Sequence, residues 1–251
     1  MSSERPLKEI FSKIYSEKAW GDDGSKFSSG GGSNESYIVR PYVEKILREL
    51  KACGSRKPEV VDLGCGNFNI GKNFIGHCSR YTAVDIVPEL IESLRSEGYP
   101  DHVRFLNLDI TEDELPEGDV CFLRQVLQHL SNDQIMKVLP KLEKYKVLYI
   151  TEQQPIPDHD FTANQNKAAG PGTRLHENSG VFLERSPFNF ILPGRVILSV
   201  PGGPDGFSCD GLIQTYRFSW PLAVPRYFFS GAVSGFFRPR DPGAAADFRA
   251  R

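Results

Sequence analysis

Between residues 59 and 152, five short apolar runs rich in β-branched residues alternate with spacers of helical length. They are EVVDLG (59–64), YTAVDI (81–86), VRFLNLDI (103–110), GDVCFLRQV (118–126) and KVLYITE (146–152). Runs of this kind suit strands buried on both faces, and parallel neighbours need crossover helices to connect them. Two spacers carry helix signals. PELIESLRSEG (88–98) starts on proline and stops at glycine, and SNDQIMKVLPKLEKY (131–145) opens on the capping residue Ser131. The alternation predicts right-handed βαβ units, hence an α/β, doubly wound, mostly parallel sheet. RVILSVP (195–201) and GLIQTYRF (211–218) read as two further strands, forming an antiparallel hairpin at the C-terminal edge.

The flanking segments are less regular. Ile10, Phe11, Ile14 and Tyr15 mark a short amphipathic helix over residues 8–18. GDDGSKFSSGGGSNES (21–36) has the composition of a loop. A helix over the 37–51 region is expected to start near Arg40, because Pro41 is best tolerated in a first turn. Residues 153–180 form a polar, glycine-rich insertion, read as a lid or as disorder. Beyond Pro221 no period remains.

Composition excludes several classes. The 251 residues carry 30 Lys+Arg against 32 Asp+Glu, a net charge of -2, so no nucleic-acid partner is expected. Lys167 is the last lysine, and arginine alone supplies the basic charge after it apart from histidine. Cys53, Cys65, Cys78, Cys121 and Cys209 contain no C-x-x-C pair, which speaks against a zinc knuckle and for a reducing compartment. No metal site is expected. The charged N-terminus lacks a signal-peptide core and no run is long enough to cross a bilayer, so the expectation is a soluble cytoplasmic protein without a membrane partner.

In a parallel sheet, ligands bind where the strands end. The first strand ends in Asp62-Leu63-Gly64-Cys65-Gly66-Asn67, where two glycines let the backbone approach a ligand closely, with the amides of a following helix pointing at it. Asp85 ends the second strand, 19 residues after Gly66, and a carboxylate there offers two acceptor oxygens to the two hydroxyls of an adenosine ribose. Asp109 ends the third strand, where it can meet an adenine amino group. A nicotinamide dinucleotide wants a third glycine three residues after the second, and that position is Asn69. Asp62 suits the ammonium group of a methionine moiety, so S-adenosylmethionine is the better match to this loop.

Ordered along the chain, VVDLGCGNFNIG, YTAVDIVPELIESL, FLNLDIT, LPEGDVCFLRQVLQHLSNDQI and SPFNFILP resemble the class I S-adenosylmethionine-dependent methyltransferases. More narrowly, they resemble a subgroup that pairs an N-terminal W-G…S-G-x-G-S segment with C-G-D-F-N and R-D-x-L-x-H-L-S motifs. Here Trp20-Gly21 and Ser29 to Ser33 match the first of these. The resemblance implies a Rossmann-like sheet of about seven strands. It assigns Asp62, Gly64 and Gly66 to the methionine end of S-adenosylmethionine, Asp85 to the ribose, and Asp109 with Ile110 to the adenine, with Cys65, Asn67 and Ile86 also counted as cofactor-binding. Arg124 and Gln125 would lie beneath the sulfonium, and Trp20 would wall the pocket from a segment folded over the cofactor. The sequence departs from the subgroup at Gln125 and Asn67, where aspartate is usual.

Methyl transfer needs a base only when the acceptor atom carries a proton of high pKa. His129, placed one turn into a helix leaving the fourth strand, is the candidate base, and Glu152 the candidate substrate contact; each also has an ordinary structural reading. His176 reads as a surface histidine, and Phe188-Asn189-Phe190 as either the substrate wall or a hydrophobic plug. The functional expectation is methylation of a small polar acceptor, most simply at oxygen, with a saccharide-like acceptor as the lead carried by the resemblance. An inactive methyltransferase-like interaction module and a nucleotide-dependent oxidoreductase are the alternatives. The domain reading is a cap over 1–52, a cofactor-binding domain over 53–220 and a low-order tail over 221–251.

Overall fold

The computed structural model describes residues 6–52, 56–157, 160–202 and 211–219; the proposed tail (221–251), Cys53 and Cys209 lie outside the described residues. Strands β1 (Glu59–Leu63), β2 (Arg80–Asp85), β3 (Val103–Asn107), β4 (Val120–Arg124) and β5 (Val147–Pro155) form the parallel part of one sheet. β6 (Gly194–Pro201) and β7 (Gly211–Ser219) add to it antiparallel, giving seven strands in the order β3-β2-β1-β4-β5-β7-β6. The order reverses between β1 and β4, which opens a crevice at the carboxyl ends of those strands. The expected α/β, doubly wound sheet with a C-terminal antiparallel hairpin is the fold observed.

Strand alternation decides which helix each side chain meets. Val60 of β1 and Phe122 of β4 pack with Tyr42 and Ile46 of α3 (Ser36–Lys51) and Leu90 and Ile91 of α4 (Pro88–Arg95). Val61, Leu63, Cys121 and Leu123 face the other way, onto Ile135, Val138 and Leu142 of α5 (Asn132–Leu142). Ser131 caps α5 as expected: its hydroxyl accepts from the Gln134 amide while the Gln134 side chain accepts from the Ser131 amide.

Three local expectations are corrected. First, α3 begins at Ser36 with Pro41 inside it, because Ile38, Tyr42, Ile46 and Leu50 bury one stripe against the sheet and outweigh one missing amide. Second, short 3-10 turns at Gly71–Asn73 and Ile75–His77 follow the glycine loop, where a helix was expected. Phe68, at φ 61°, turns into a cluster with Tyr81, Tyr99 and Phe105 and fills the space beside Gly71. Third, β3 ends at Asn107, so Asp109 lies in the loop beyond it.

The insertion after β5 is folded. Arg174, buried in a 3-10 turn (Arg174–Glu177), donates to the Leu130 and Gln165 carbonyls, and the Asn132 side chain donates to Asn164 O. Phe188 and Phe190 pack in the core beside Phe218, so this stretch is the plug under the edge hairpin. At the other end of the chain, α1 (Leu7–Ser16) and the short α2 (Gly31–Asn34) lead into α3. No helix among the described residues is long and apolar enough to cross a membrane.

Candidate active site

A cavity of about 550 Å³ opens above the carboxyl ends of β1, β2 and β4, within the range of roughly 300–1,000 Å³ usual for small-molecule sites. Its floor begins at the glycine loop. Gly64 and Gly66 adopt φ values of 76° and 54°, and a Cβ on Gly64 would overlap Val126. The Ser29 hydroxyl accepts from the Asn67 amide at 2.9 Å, which brings the serine-glycine segment of the N-terminus onto the loop.

Asp85 lines the cavity, and each of its oxygens accepts one backbone amide: Gly66 at 3.1 Å and Val87 at 3.1 Å. A carboxylate has about four lone-pair sites, so the group retains acceptor capacity. Burial pushes its pKa up to about 6, against the pull of those amides. Ile86, Leu108 and Ile110 supply an apolar slot next to it, and the Asp109 carboxylate at the rim accepts from the amide and hydroxyl of Thr111 at 2.8 and 2.7 Å.

At the end of β4, Arg124 is buried over the Tyr42 ring, 4.9 Å from its centroid. Its guanidinium donates to Gly32 O at 2.6 Å and to Gln125 Oε1 at 2.9 Å. Gln125 sits at φ 55°, and a Cβ on Gly32 would overlap its side-chain amide, so a larger residue there would displace that amide. The amide of Gln125 accepts Arg124 through oxygen and retains its NH2 donors.

His129 also lines the cavity, though from a 3-10 turn (Leu127–His129) and not from the expected helix. Both ring nitrogens are engaged: Nδ1 lies 3.2 Å from Gly170 O and Nε2 lies 3.3 Å from Gln128 Nε2. A carbonyl only accepts, so Nδ1 carries the proton and Nε2 accepts from Gln128. Burial, with the Lys167 charge acting in the same direction, pushes this imidazole down to about 4. Trp20 packs on the ring at 5.1 Å and donates its indole N–H to Pro171 O at 3.0 Å.

The structure thus brings Trp20, Gly64, Cys65, Gly66, Asp85, Ile86, Asp109, Ile110, Arg124, Gln125 and His129 around one cavity. Three residues singled out from sequence stand apart. Asp62 accepts from Tyr81 Oη at 2.8 Å and lines a small neighbouring cavity of about 30 Å³ with Tyr42, Ser33 and Arg124. Asn67 meets Ser29 only through its backbone. Glu152 is 1% exposed and is away from the cavity; its carboxylate accepts from the amides of Val126, Leu127 and Gln128. Sequence reasoning missed the walls: Leu7, Phe11 and Tyr15 of α1, together with Gln153, Thr173 and His176. The apolar face of α1 was visible, but nothing in its spacing says what that face covers.

Residues 60–145 match the family described as a methyltransferase domain. Over that span the chain is similar to methyltransferase domains. The matched span runs from β1 through α5 and holds the glycine loop, Asp85, Asp109, Arg124 and His129. No protein of curated function matches the sequence. Solved structures share the fold. The N-methyltransferase NodS from Bradyrhizobium japonicum, in complex with S-adenosyl-L-homocysteine, is 16% identical, with a TM-score of 0.60 over 84% of this chain and 99% of that one. The 1,6-didemethyltoxoflavin-N1-methyltransferase of Burkholderia thailandensis, bound to 1,6-didemethyltoxoflavin and S-adenosylhomocysteine, is 20% identical, with a TM-score of 0.52 over 85% of this chain and 87% of that one. Human N-acetylserotonin methyltransferase, in complex with SAM, is 15% identical, with a TM-score of 0.50 over 86% of this chain and 60% of that one.

Proposed function

We propose that the protein transfers a methyl group from S-adenosylmethionine to a small polar acceptor, at oxygen in the simplest case. The observation that carries the reading is Asp85. It is a buried carboxylate facing the cavity beside Gly66, with one amide on each oxygen and lone pairs left for two neighbouring hydroxyls. Gly64, Cys65 and Gly66 would bear the methionine end, Ile86, Leu108 and Ile110 the adenine, and Asp109 its amino group. Asp62 would act at one remove, through the small cavity it shares with Arg124. The cofactor supplies an electrophilic methyl group; the residues around it orient acceptor and donor and exclude water, which is where most of the acceleration of such a displacement arises.

The acceptor side is lined by Trp20, Gln125, Gln153, Thr173 and His176, amide and hydroxyl groups beside an aromatic wall. That lining supports an uncharged polar acceptor, and a saccharide-like one is the finer form of this reading. Isothermal titration with S-adenosylhomocysteine is the test. Micromolar or tighter binding is expected, and absence of binding to folded protein overturns the proposal. Transfer of a labelled methyl group to any member of a panel of polyols and phenols then separates an active enzyme from a cofactor-binding module.

A further inference from the structure

We infer that His129 is a positioning residue, the strut that holds two walls of the cavity together, and not the proton acceptor its place in the sequence suggests. The inference rests on the reading of the cavity as a cofactor site and assigns its histidine a different task.

Two segments far apart in sequence line the cavity: the N-terminal stretch around Trp20 and the insertion from Pro171 to Thr173. Both meet at His129. Its backbone carbonyl accepts from Gly170 N at 3.1 Å and its Nδ1–H donates to Gly170 O, so one residue pairs with one glycine of the insertion in both directions. The indole of Trp20 packs on the imidazole, and its N–H reaches Pro171, the next residue of the same insertion.

The ring is held from behind as well. Gln153 N donates to Gln128 Oε1 at 3.0 Å, Gln128 Nε2 donates to His129 Nε2, and His129 Nδ1 donates to Gly170 O. Every donor in this chain finds an acceptor in only one tautomer, and that tautomer is neutral. A proton arriving on Nε2 would face the Gln128 NH2 group and would have to expel it. The arrangement fixes a ring in place and opposes proton uptake.

The expected consequence is that His129 governs how long a bound ligand is retained. The only other tryptophan of the chain is Trp220, so W220F leaves Trp20 as the sole reporter. In that background, stopped-flow fluorescence would follow S-adenosylhomocysteine dissociation from the wild type, H129N and H129Q. Asn places an amide N–H where Nδ1 stands and keeps the Gly170 bond; Gln reaches the Nε2 position and loses it. H129Q should release the ligand about tenfold faster, with red-shifted Trp20 emission in the free protein, and H129N should stay within about threefold of the wild type, a tenfold change in rate corresponding to about 1.4 kcal/mol. Equal dissociation rates and emission maxima in all three proteins overturn the strut, since neither substitution can take a proton and a pure base role leaves binding untouched. If the wild type itself binds no S-adenosylhomocysteine, the cofactor reading fails, while the emission of Trp20 in the unliganded proteins still decides for or against the strut.

Discussion

Asp85 ends β2 and Glu152 lies in the second half of β5, and both carboxylates are almost fully buried near the carboxyl edge of the sheet. Their surroundings separate them. Asp85 receives one amide on each oxygen and faces the cavity. Glu152 receives three consecutive amides, those of residues 126 to 128, and faces none of it. The β2 end is therefore left with acceptor capacity for a ligand, while the β5 end uses its acid to shape the turn that carries Gln125 and His129. An acid at a strand end is a ligand contact only where the adjoining backbone leaves its lone pairs unclaimed.

The contrast can be broken from the largest effect downwards. Glu152→Ala should strip three buried amides of their acceptor and cost about 3 kcal/mol of stability, measured by urea unfolding; a loss under about 0.5 kcal/mol would mean that the turn does not depend on the acid. Asp85→Ala strips two amides, should cost less stability than Glu152→Ala, about 1–2 kcal/mol, and should weaken S-adenosylhomocysteine binding by about 1.5–3 kcal/mol, read by calorimetry. The reverse pattern in the two variants would invert the assignment.

The pH dependence sharpens the same comparison. Burial raises the Asp85 pKa to about 6, above its ordinary value. Donation from ligand hydroxyls favours the ionised form, so affinity should be constant above about pH 6 and fall below it, flattening where the bound state itself takes up a proton. Asp85→Asn should remove that fall. Glu152 is raised to about 8 by burial, which outweighs its amide donors and Arg174. A raised carboxyl pKa means that the folded state holds the proton more tightly than the unfolded one, so this group's contribution to stability is complete below about pH 4.5 and declines as pH rises toward 8. Glu152→Gln should flatten that decline without touching the ligand's pH profile. The smallest effect belongs to Ser29→Ala, which removes one hydroxyl from the Asn67 amide and should weaken ligand binding by about 0.5–1.5 kcal/mol.

Much of the fold was legible because its signals are local. The five runs from EVVDLG to KVLYITE announce buried strands, Ser131 with Gln134 announces α5, and the two glycines after Asp62 announce a close backbone approach. The misses share one cause. By local rule Pro41 belongs in a helix's first turn, yet a buried stripe started α3 five residues before it. Phe68 gives no warning that it will turn inward and shorten the segment after the glycine loop. Asp62 and Asp85 look alike along the chain and lie on the same face of the sheet, but Asp62 sits inside β1, against Tyr81 and beside Arg124, whereas Asp85 ends β2 at the cavity.

The sequence by itself determined the alternation of strands and helices, and with it the sheet, the switch point and the loop where a nucleoside-like ligand would lie. These follow from hydrophobic period, caps and glycines, which act over a few residues. Only the tertiary structure decided which groups face the cavity and which are consumed in building it. Trp20 meets Pro171 and Arg124 meets Gly32 across more than 90 residues of chain, and His129 is closed off by Gly170 and Gln128. A lone pair or a proton position is settled by whichever partner arrives in space, and that partner has no signature in the local sequence.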